Sequence, residues 1–120
     1  MGKRHSIVVV LLFAACAALP ALAQDTAYPK GPVKMIVPFP PGGPTDLLGR
    51  ILSQKLQEFW AQPVVIEYKP GAGTVIGVDA VAKSAADGYT IGLVNSAYTI
   101  NPVLLPSMPY NTVRDLANIT

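Results

Sequence analysis

Short apolar runs, each followed by a loop rich in proline and glycine or in small polar residues, constrain the fold of this 120-residue chain more than any other feature. Residues 33–37, 64–68 and 89–94 are such runs, and their near-continuous apolar character predicts strands that are covered on both faces. Amphipathic patterns predict helices over 45–60 and 74–84 between these strands. Strand, loop and helix repeated in this way are typical of βαβ units. We therefore expect an α/β fold with a mostly parallel sheet flanked by helices.

The first predicted helix carries clear signals at its start and along one face. Thr45 is suited to cap it, and Asp46 just inside complements the positive end of the helix dipole. Apolar residues recur in it at three- and four-residue steps, which predicts a face packed on the sheet. These residues are Leu48, Ile51, Leu52, Leu56, Phe59 and Trp60.

The segment after the third strand is less regular. A proline interrupts the apolar stretch over 98–105, where we expect a single helical turn. We expect residues 108–110 to be extended, followed by a last short helix around 113–116 with Asn111 or Thr112 as its candidate cap.

The first 23 residues have the pattern of a secretory signal. Basic residues precede an apolar stretch over 7–19, which is too short for a membrane-spanning helix of about 20 residues. Ala21-Leu22-Ala23 then offers a small-x-small cleavage site. We expect cleavage between Ala23 and Gln24, and a periplasmic protein. Two alternatives are an uncleaved N-terminal anchor and lipoprotein processing at Cys16.

Removal of this signal changes the composition. The chain has nine Lys and Arg against seven Asp and Glu, and Lys3 and Arg4 leave with the signal, so the remainder is neutral. The single cysteine, Cys16, and the single histidine, His5, leave as well. Disulfides and thiolate metal sites are thereby excluded, and no imidazole remains for catalysis or metal ligation. We predict no catalytic residue, no metal, no cofactor and no nucleic-acid partner.

Three loops of small residues should carry the function. In an open parallel sheet, ligands bind where the carboxyl ends of strands lead into helices, and residues 40–45, 70–74 and 95–97 occupy those positions. Glycine amides together with a helix N-terminus favour an anion. One alternative is that these loops are plain connections. Another is a dinucleotide site, since three glycines follow the second strand, but the acidic residue that would hold the ribose is missing after the third.

Several motifs occur along the chain in a characteristic order. They are Pro40-Pro41-Gly42-Gly43-Pro44-Thr45-Asp46, Gln62-Pro63-Val64-Val65, Pro70-Gly71-Ala72-Gly73, Asp87-Gly88-Tyr89-Thr90, Ile100-Asn101-Pro102 and Pro109-Tyr110. In this combination the sequence resembles the N-terminal portion of the Bug-type solute receptors, the substrate-binding proteins of tripartite tricarboxylate transporters.

This resemblance implies a type II periplasmic-binding fold, in which two α/β domains close on a small carboxylate. It implies that backbone amides, hydroxyls and water hold that ligand, and that the receptor is a monomer that delivers it to membrane permease subunits. The implied ligand-binding residues are Gly42, Gly43, Pro44, Thr45, Asp46, Gly71, Ala72, Gly73, Asn95, Ser96 and Ala97. The chain departs from the family pattern at Tyr68-Lys69, where Asn-Arg is more usual, and at Gly73-Thr74-Val75, where a further glycine is usual.

The resemblance also divides the chain. Residues 1–23 are the expected signal, 24–32 a leader, and 33–120 part of domain 1, with the second domain missing. A binding protein needs both domains, so we expect a fragment or a truncated product that does not bind alone. Two other functions fit the same sequence: a module that presents ligand to a sensor kinase, and an exported α/β enzyme whose catalytic residues lie in a missing C-terminal part.

Overall fold

Three parallel strands form the centre of the fold. The computed structural model describes residues 28–119; the predicted signal and cleavage site, and the start of the leader, lie outside them. The strands are β1 (Val33–Val37), β2 (Val64–Tyr68) and β3 (Thr90–Gly92), in the order β2-β1-β3. Val37 pairs with Tyr68, and Ile36 pairs with Gly92. All three strands therefore end at the same edge of the sheet.

Each strand leads through a loop into a helix, which confirms the predicted α/β fold. The helices are α1 (Pro44–Trp60), α2 (Val75–Ala82) and α3 (Ala97–Leu104), and a 3₁₀ turn at Ala72–Thr74 precedes α2. The prediction that Thr45 caps α1 was wrong, because the N-cap is Gly43 and Pro44 occupies the first helical position. Proline suits that position, since its fixed φ is already helical and no intrahelical partner exists there for an N–H.

The helices cover both faces of the sheet. Val33, Met35, Val37 and Val64 form a buried cluster on one face, against which Leu56 and Trp60 of α1 pack. On the other face, α2 approaches so closely that a Cβ on Gly92 would lie 2.9 Å from Cγ2 of Val81. β1 is thus covered on both sides, as its continuous apolar sequence predicted.

The apolar face predicted for α1 packs on the sheet only in part. Leu48 and Ile51 remain about half exposed, and Phe59 is 84% exposed. Gly49 is one of the two buried residues of α1, and its Cβ position meets side-chain atoms of Val37 and Leu93 at 3.4 and 3.5 Å. The lack of a side chain there brings α1 onto the ends of β1 and β3. In residues 28–119, no helix has the length and apolar character that a membrane span requires.

The last third of the chain differs most from the expectations. The third strand is shorter than predicted, although Leu93 N still donates to Ile36 O at 2.9 Å. α3 is longer than the single turn expected and tolerates Pro102 within it. Residues 108–110 form no strand, and the helix expected around 113–116 is a single turn instead. In that turn Asn111 Oδ1 accepts bonds from the amides of Val113 and Arg114, so the cap forms without a helix behind it.

Candidate ligand-binding site

The three loops predicted to carry function leave the sheet at one edge. Lys69 N, just after β2, donates to Val37 O at 2.9 Å, and Leu93 N, just after β3, donates to Ile36 O at 2.9 Å. The segments that follow β2 and β3 therefore leave β1 at the same end of the sheet, one on each side of it. This is the edge at which open parallel sheets bind ligands.

Direct contacts join the loops to one another. A Cβ on Gly77, in the first turn of α2, would lie 2.5 Å from Cβ of Pro38 and 2.8 Å from Lys69 O. The start of α2 therefore packs against the first loop with no space for a side chain. Asn101 in α3 donates from Nδ2 to Gly73 O at 2.8 Å, which fastens the second loop to the third helix. The second loop is fixed to its neighbours on both sides.

The first turns of the helices at this edge have backbone amides that no side chain caps. Gly43 makes no side-chain capping bond, and the first intrahelical bond of α1 runs from Leu47 N to Gly43 O at 3.1 Å. The amides of Thr45 and Asp46 precede that bond and have no partner within the helix. The N-caps of the 3₁₀ turn and of α2 likewise make no side-chain bond. Such amides, reinforced by the helix dipole, favour an anion.

The third loop is different, because it supplies its own acceptor. Asn95 Oδ1 accepts a hydrogen bond from Ala97 N at 3.0 Å, so the first amide of α3 is already paired. Ser96 lies at the N-cap without a side-chain capping bond and is exposed. Among the predicted binding residues, the amides of Ala97 and Gly42 are thus already paired with side chains of the chain itself.

The second loop has an unusual backbone. Gly71 and Gly73 have φ of 130° and 60°, and the residues between and after them, Ala72 and Thr74, also have positive φ of 46° and 82°. Four consecutive residues therefore lie in the region that favours glycine. Thr74 is only 6% exposed, and its hydroxyl has no hydrogen-bond partner among the residues that the structure describes. At Thr74 the chain thus has a β-branched side chain in a conformation that glycine fits best.

Asp46, one of the predicted binding residues, lies beneath the first loop and is 5% exposed. Its Oδ2 accepts from Gly42 N at 2.8 Å, and its Oδ1 accepts from Tyr68 Oη at 2.6 Å and from Arg50 Nε at 2.9 Å. The hydrogen bond from Tyr68 does most to lower the pKa of Asp46, followed by that from Gly42. Both carboxylate oxygens are occupied by groups of the chain itself.

The cations beside the loops are paired with acids. Lys69 Nζ lies 2.8 Å from Glu67 Oε1, Lys34 contacts the same carboxylate, and the pair keeps the pKa of Glu67 low. Arg50 is paired with Asp46. Arg50 is thus balanced by Asp46, whereas Lys34 and Lys69 share one carboxylate and that cluster keeps a net positive charge. Within residues 28–119 there is no group of three or more His, Cys, Asp or Glu side chains that could hold a metal.

Sequence reasoning did not assign Arg50, Tyr68 or Thr74 to the site. The four-residue spacing of Asp46 and Arg50 on one helix was a readable signal for that ion pair. Tyr68 lies 22 residues from Asp46, so only the pairing of β1 with β2 brings its hydroxyl into contact.

The chain is similar to known proteins. A family model described as the tripartite tricarboxylate transporter family receptor matches residues 48–120. Protein BugT of Bordetella pertussis is 44% identical over 122 residues, covering 100% of this chain but 37% of BugT. The chain thus spans little more than a third of the length of this curated relative.

Solved structures agree with the sequence comparison. The periplasmic binding protein BugD superposes with a TM-score of 0.70 at 39% identity, over 73% of this chain and 29% of BugD. MatC from Rhodopseudomonas palustris, with bound malate, superposes with a TM-score of 0.68 at 31% identity, over 73% of this chain and 30% of MatC. These are receptors and binding proteins rather than enzymes, in agreement with the prediction of no catalytic role. The resemblance read from the sequence is confirmed: the chain belongs to the tripartite tricarboxylate transporter receptor family.

Proposed function

We propose that this chain forms part of a periplasmic receptor that captures a small carboxylate for a tripartite transporter. The observation that carries the proposal is the pair of helix starts, at α1 and at the 3₁₀ turn before α2, that lack side-chain caps at one edge of a parallel sheet. Family membership supports it, as does the malate bound by MatC.

The charges near the loops favour recognition by amides. A carboxylate that meets several N–H donors at a helix N-terminus is stabilised without a cation. Arg50 is engaged by Asp46, and Lys69 shares Glu67 with Lys34, so the proposal assigns the primary ligand contact to the amides. The ligand that fits this chemistry is a small mono- or dicarboxylate with one carboxylate directed at residues 42–46 and 71–73.

The rest of the proposal concerns the protein around this segment. The sequence of residues 1–23 supports export and cleavage near Ala23-Gln24. Residues 33–120 would contribute part of one α/β domain, and a second domain would close on the ligand from the opposite side. The partners would be the membrane permease subunits of the transporter, and the receptor would act as a monomer.

Isothermal titration against matched ligands tests this function. The titrant panel is malate, adipate and malamide, in which both carboxylates of malate are replaced by neutral amides. Two proteins are titrated: the chain itself, and a chimera in which residues 28–119 replace the matching segment of BugT, so that the loops are presented within a family-length protein. We expect the chimera to bind at least one carboxylate and to ignore malamide. A folded chimera that binds no carboxylate, or that binds malamide equally well, contradicts the proposal.

A further inference from the structure

A buried polar network lies directly beneath the first loop. Asp46 is at its centre, accepting from Gly42 N, Tyr68 Oη and Arg50 Nε at 2.8, 2.6 and 2.9 Å. Arg50 Nη2 closes the network by donating to Tyr68 Oη at 3.0 Å. The Asp46 side chain is 7% exposed, whereas that of Arg50 is 59% exposed. The network thus has a buried acceptor and a partly solvated cation.

Each bond of this network joins a different part of the fold. Asp46 and Arg50 belong to α1, Tyr68 is the last residue of β2, and Gly42 lies in the first loop. Gly42 has a φ of 91°, and because glycine adopts both signs of φ readily, a contact with the rest of the chain is needed to select this conformation. The carboxylate of Asp46 supplies that constraint, since it holds the Gly42 amide on one side and the end of β2 on the other.

The charge of Asp46 also needs an explanation. A bare carboxylate in the first turn of α1 would repel an anion bound at the same helix start. Arg50 offsets that charge at hydrogen-bond distance, and the Tyr68 hydroxyl donates to the same oxygen. The network therefore fixes the loop without adding an uncompensated negative charge to the site.

We propose that Asp46, Arg50 and Tyr68 are positioning residues whose side chains order residues 42–46 before ligand binds, and that none of these three side chains contacts the ligand. The proposal rests on the proposed function for its purpose, and it reassigns Asp46 from a ligand contact to a support. An ordered loop binds more tightly than a mobile one, because the entropy of ordering has already been spent. Loss of a single hydrogen bond to the carboxylate should weaken ligand binding about three- to tenfold.

Hydrogen exchange at the Gly42 amide tests the ordering directly and without ligand. Tyr68→Phe removes only the hydroxyl that donates to Asp46. Tyr89→Phe is the matched control. Tyr89 lies just before β3, at the opposite edge of the sheet, and its Oη accepts a hydrogen bond from Lys30 N. We expect the Gly42 amide to exchange about fivefold faster in Y68F and at the wild-type rate in Y89F. Asp46→Asn, which leaves an amide NH₂ where an acceptor oxygen was, should accelerate exchange further.

Titration of the Gly42 amide proton shift gives a readout that general loss of stability would not change. This shift follows protonation of Asp46, whose contacts are Gly42 N, Tyr68 and Arg50. Because the Tyr68 hydroxyl does most to lower the pKa of Asp46, the midpoint should move to higher pH in Y68F and stay in place in Y89F. The titration midpoint is measured both in the chain and in the BugT chimera. If a variant fails to fold in one of these proteins, the other still reports the pKa of Asp46.

The outcomes separate this proposal from the proposed function. If Gly42 exchange and the titration midpoint are unchanged in both Y68F and D46N, the network does not order the loop and the proposal is overturned. If D46N abolishes carboxylate binding while Gly42 exchange stays at the wild-type rate, Asp46 is a ligand contact and the proposal is also overturned. If exchange responds as expected but no wild-type protein binds a carboxylate, the ordering network stands and the proposed function fails.

Discussion

Replacement of Thr74 by glycine should stabilise the protein. Thr74 has a φ of 82°, in the left-handed region that β-branched residues rarely occupy. Its side chain is buried, and its hydroxyl lacks a hydrogen-bond partner within residues 28–119. Thr74→Gly removes both sources of strain at once and leaves the turn that starts α2 in a conformation that glycine adopts freely.

The magnitude follows from four opposing contributions. Backbone strain at a non-glycine residue in this region costs about 1–3 kcal/mol. A buried hydroxyl without a partner costs about 1–3 kcal/mol more. Against these, glycine adds flexibility to the unfolded chain, worth about 0.5–1 kcal/mol, and the lost methyl group removes about 0.8 kcal/mol of apolar burial. The midpoints of these ranges give a net stabilisation of about 2 kcal/mol, which corresponds to a rise in Tm of about 8–16 °C for a domain of this size.

Urea unfolding followed by circular dichroism measures this change. Thr74→Ala separates the two contributions, because it removes the hydroxyl but keeps a Cβ at positive φ, so it should stabilise less than glycine. Thr99→Gly is the control of opposite sign, since Thr99 lies within α3 and its hydroxyl donates to Ser96 O at 2.9 Å. Destabilisation by Thr74→Gly would refute the reasoning and would indicate that the threonine side chain contributes more by packing than its backbone costs.

Three further outcomes follow from named contacts. Gly77→Ala should lower the free energy of unfolding by about 1–3 kcal/mol despite the better helix propensity of alanine, because its Cβ would meet Pro38 and Lys69 O within 3 Å; equal stability in denaturant melts would contradict this packing. The pKa of Asp46 is lowered in the folded protein, so the stability that its carboxylate contributes is complete above the ordinary aspartate pKa of about 4 and is lost as the pH falls through the lowered value. The free energy of unfolding of D46N should therefore depend less on pH in the acidic range than that of the wild type. Parallel pH profiles for the two proteins would contradict this expectation. Asn101→Leu removes the donor to Gly73 O, so amide hydrogen exchange in the second loop should accelerate about fivefold. Mass spectrometry measures this exchange rate, and an unchanged rate would show that the hydrogen bond does not hold the loop.

The strands and the edge of the sheet at which the loops lie could be predicted from local sequence. β1 and β2 match their predicted bounds because proline follows one apolar run closely and precedes the other. The start of α1 was missed by one position, since Pro44 at the first helical position outweighs Thr45 as a cap. The helix predicted around 113–116 does not form. The Asn111 side chain does cap the segment, but no apolar periodicity follows it, so only a turn results.

The roles of single residues were harder to predict than the fold. Asp46 was assigned to ligand binding because it lies in the first loop motif, but sequence alone does not show that Tyr68 reaches its carboxylate across the sheet. The positive φ of Thr74 could not be predicted either, because it depends on the path that the second loop takes from β2 to α2. Side-chain orientation in both cases depends on tertiary contacts, whereas the strand-end position of the loops depends only on chain order.

The most direct test of the account is a titration of the BugT chimera with malate, followed by amide chemical shifts. If uncapped helix starts hold the carboxylate, the largest shifts should occur at the backbone amides of Thr45, Asp46 and Gly73, and malamide should leave them unchanged. Shifts confined to amides elsewhere, or equal shifts with malate and malamide, would contradict carboxylate recognition at this edge of the sheet.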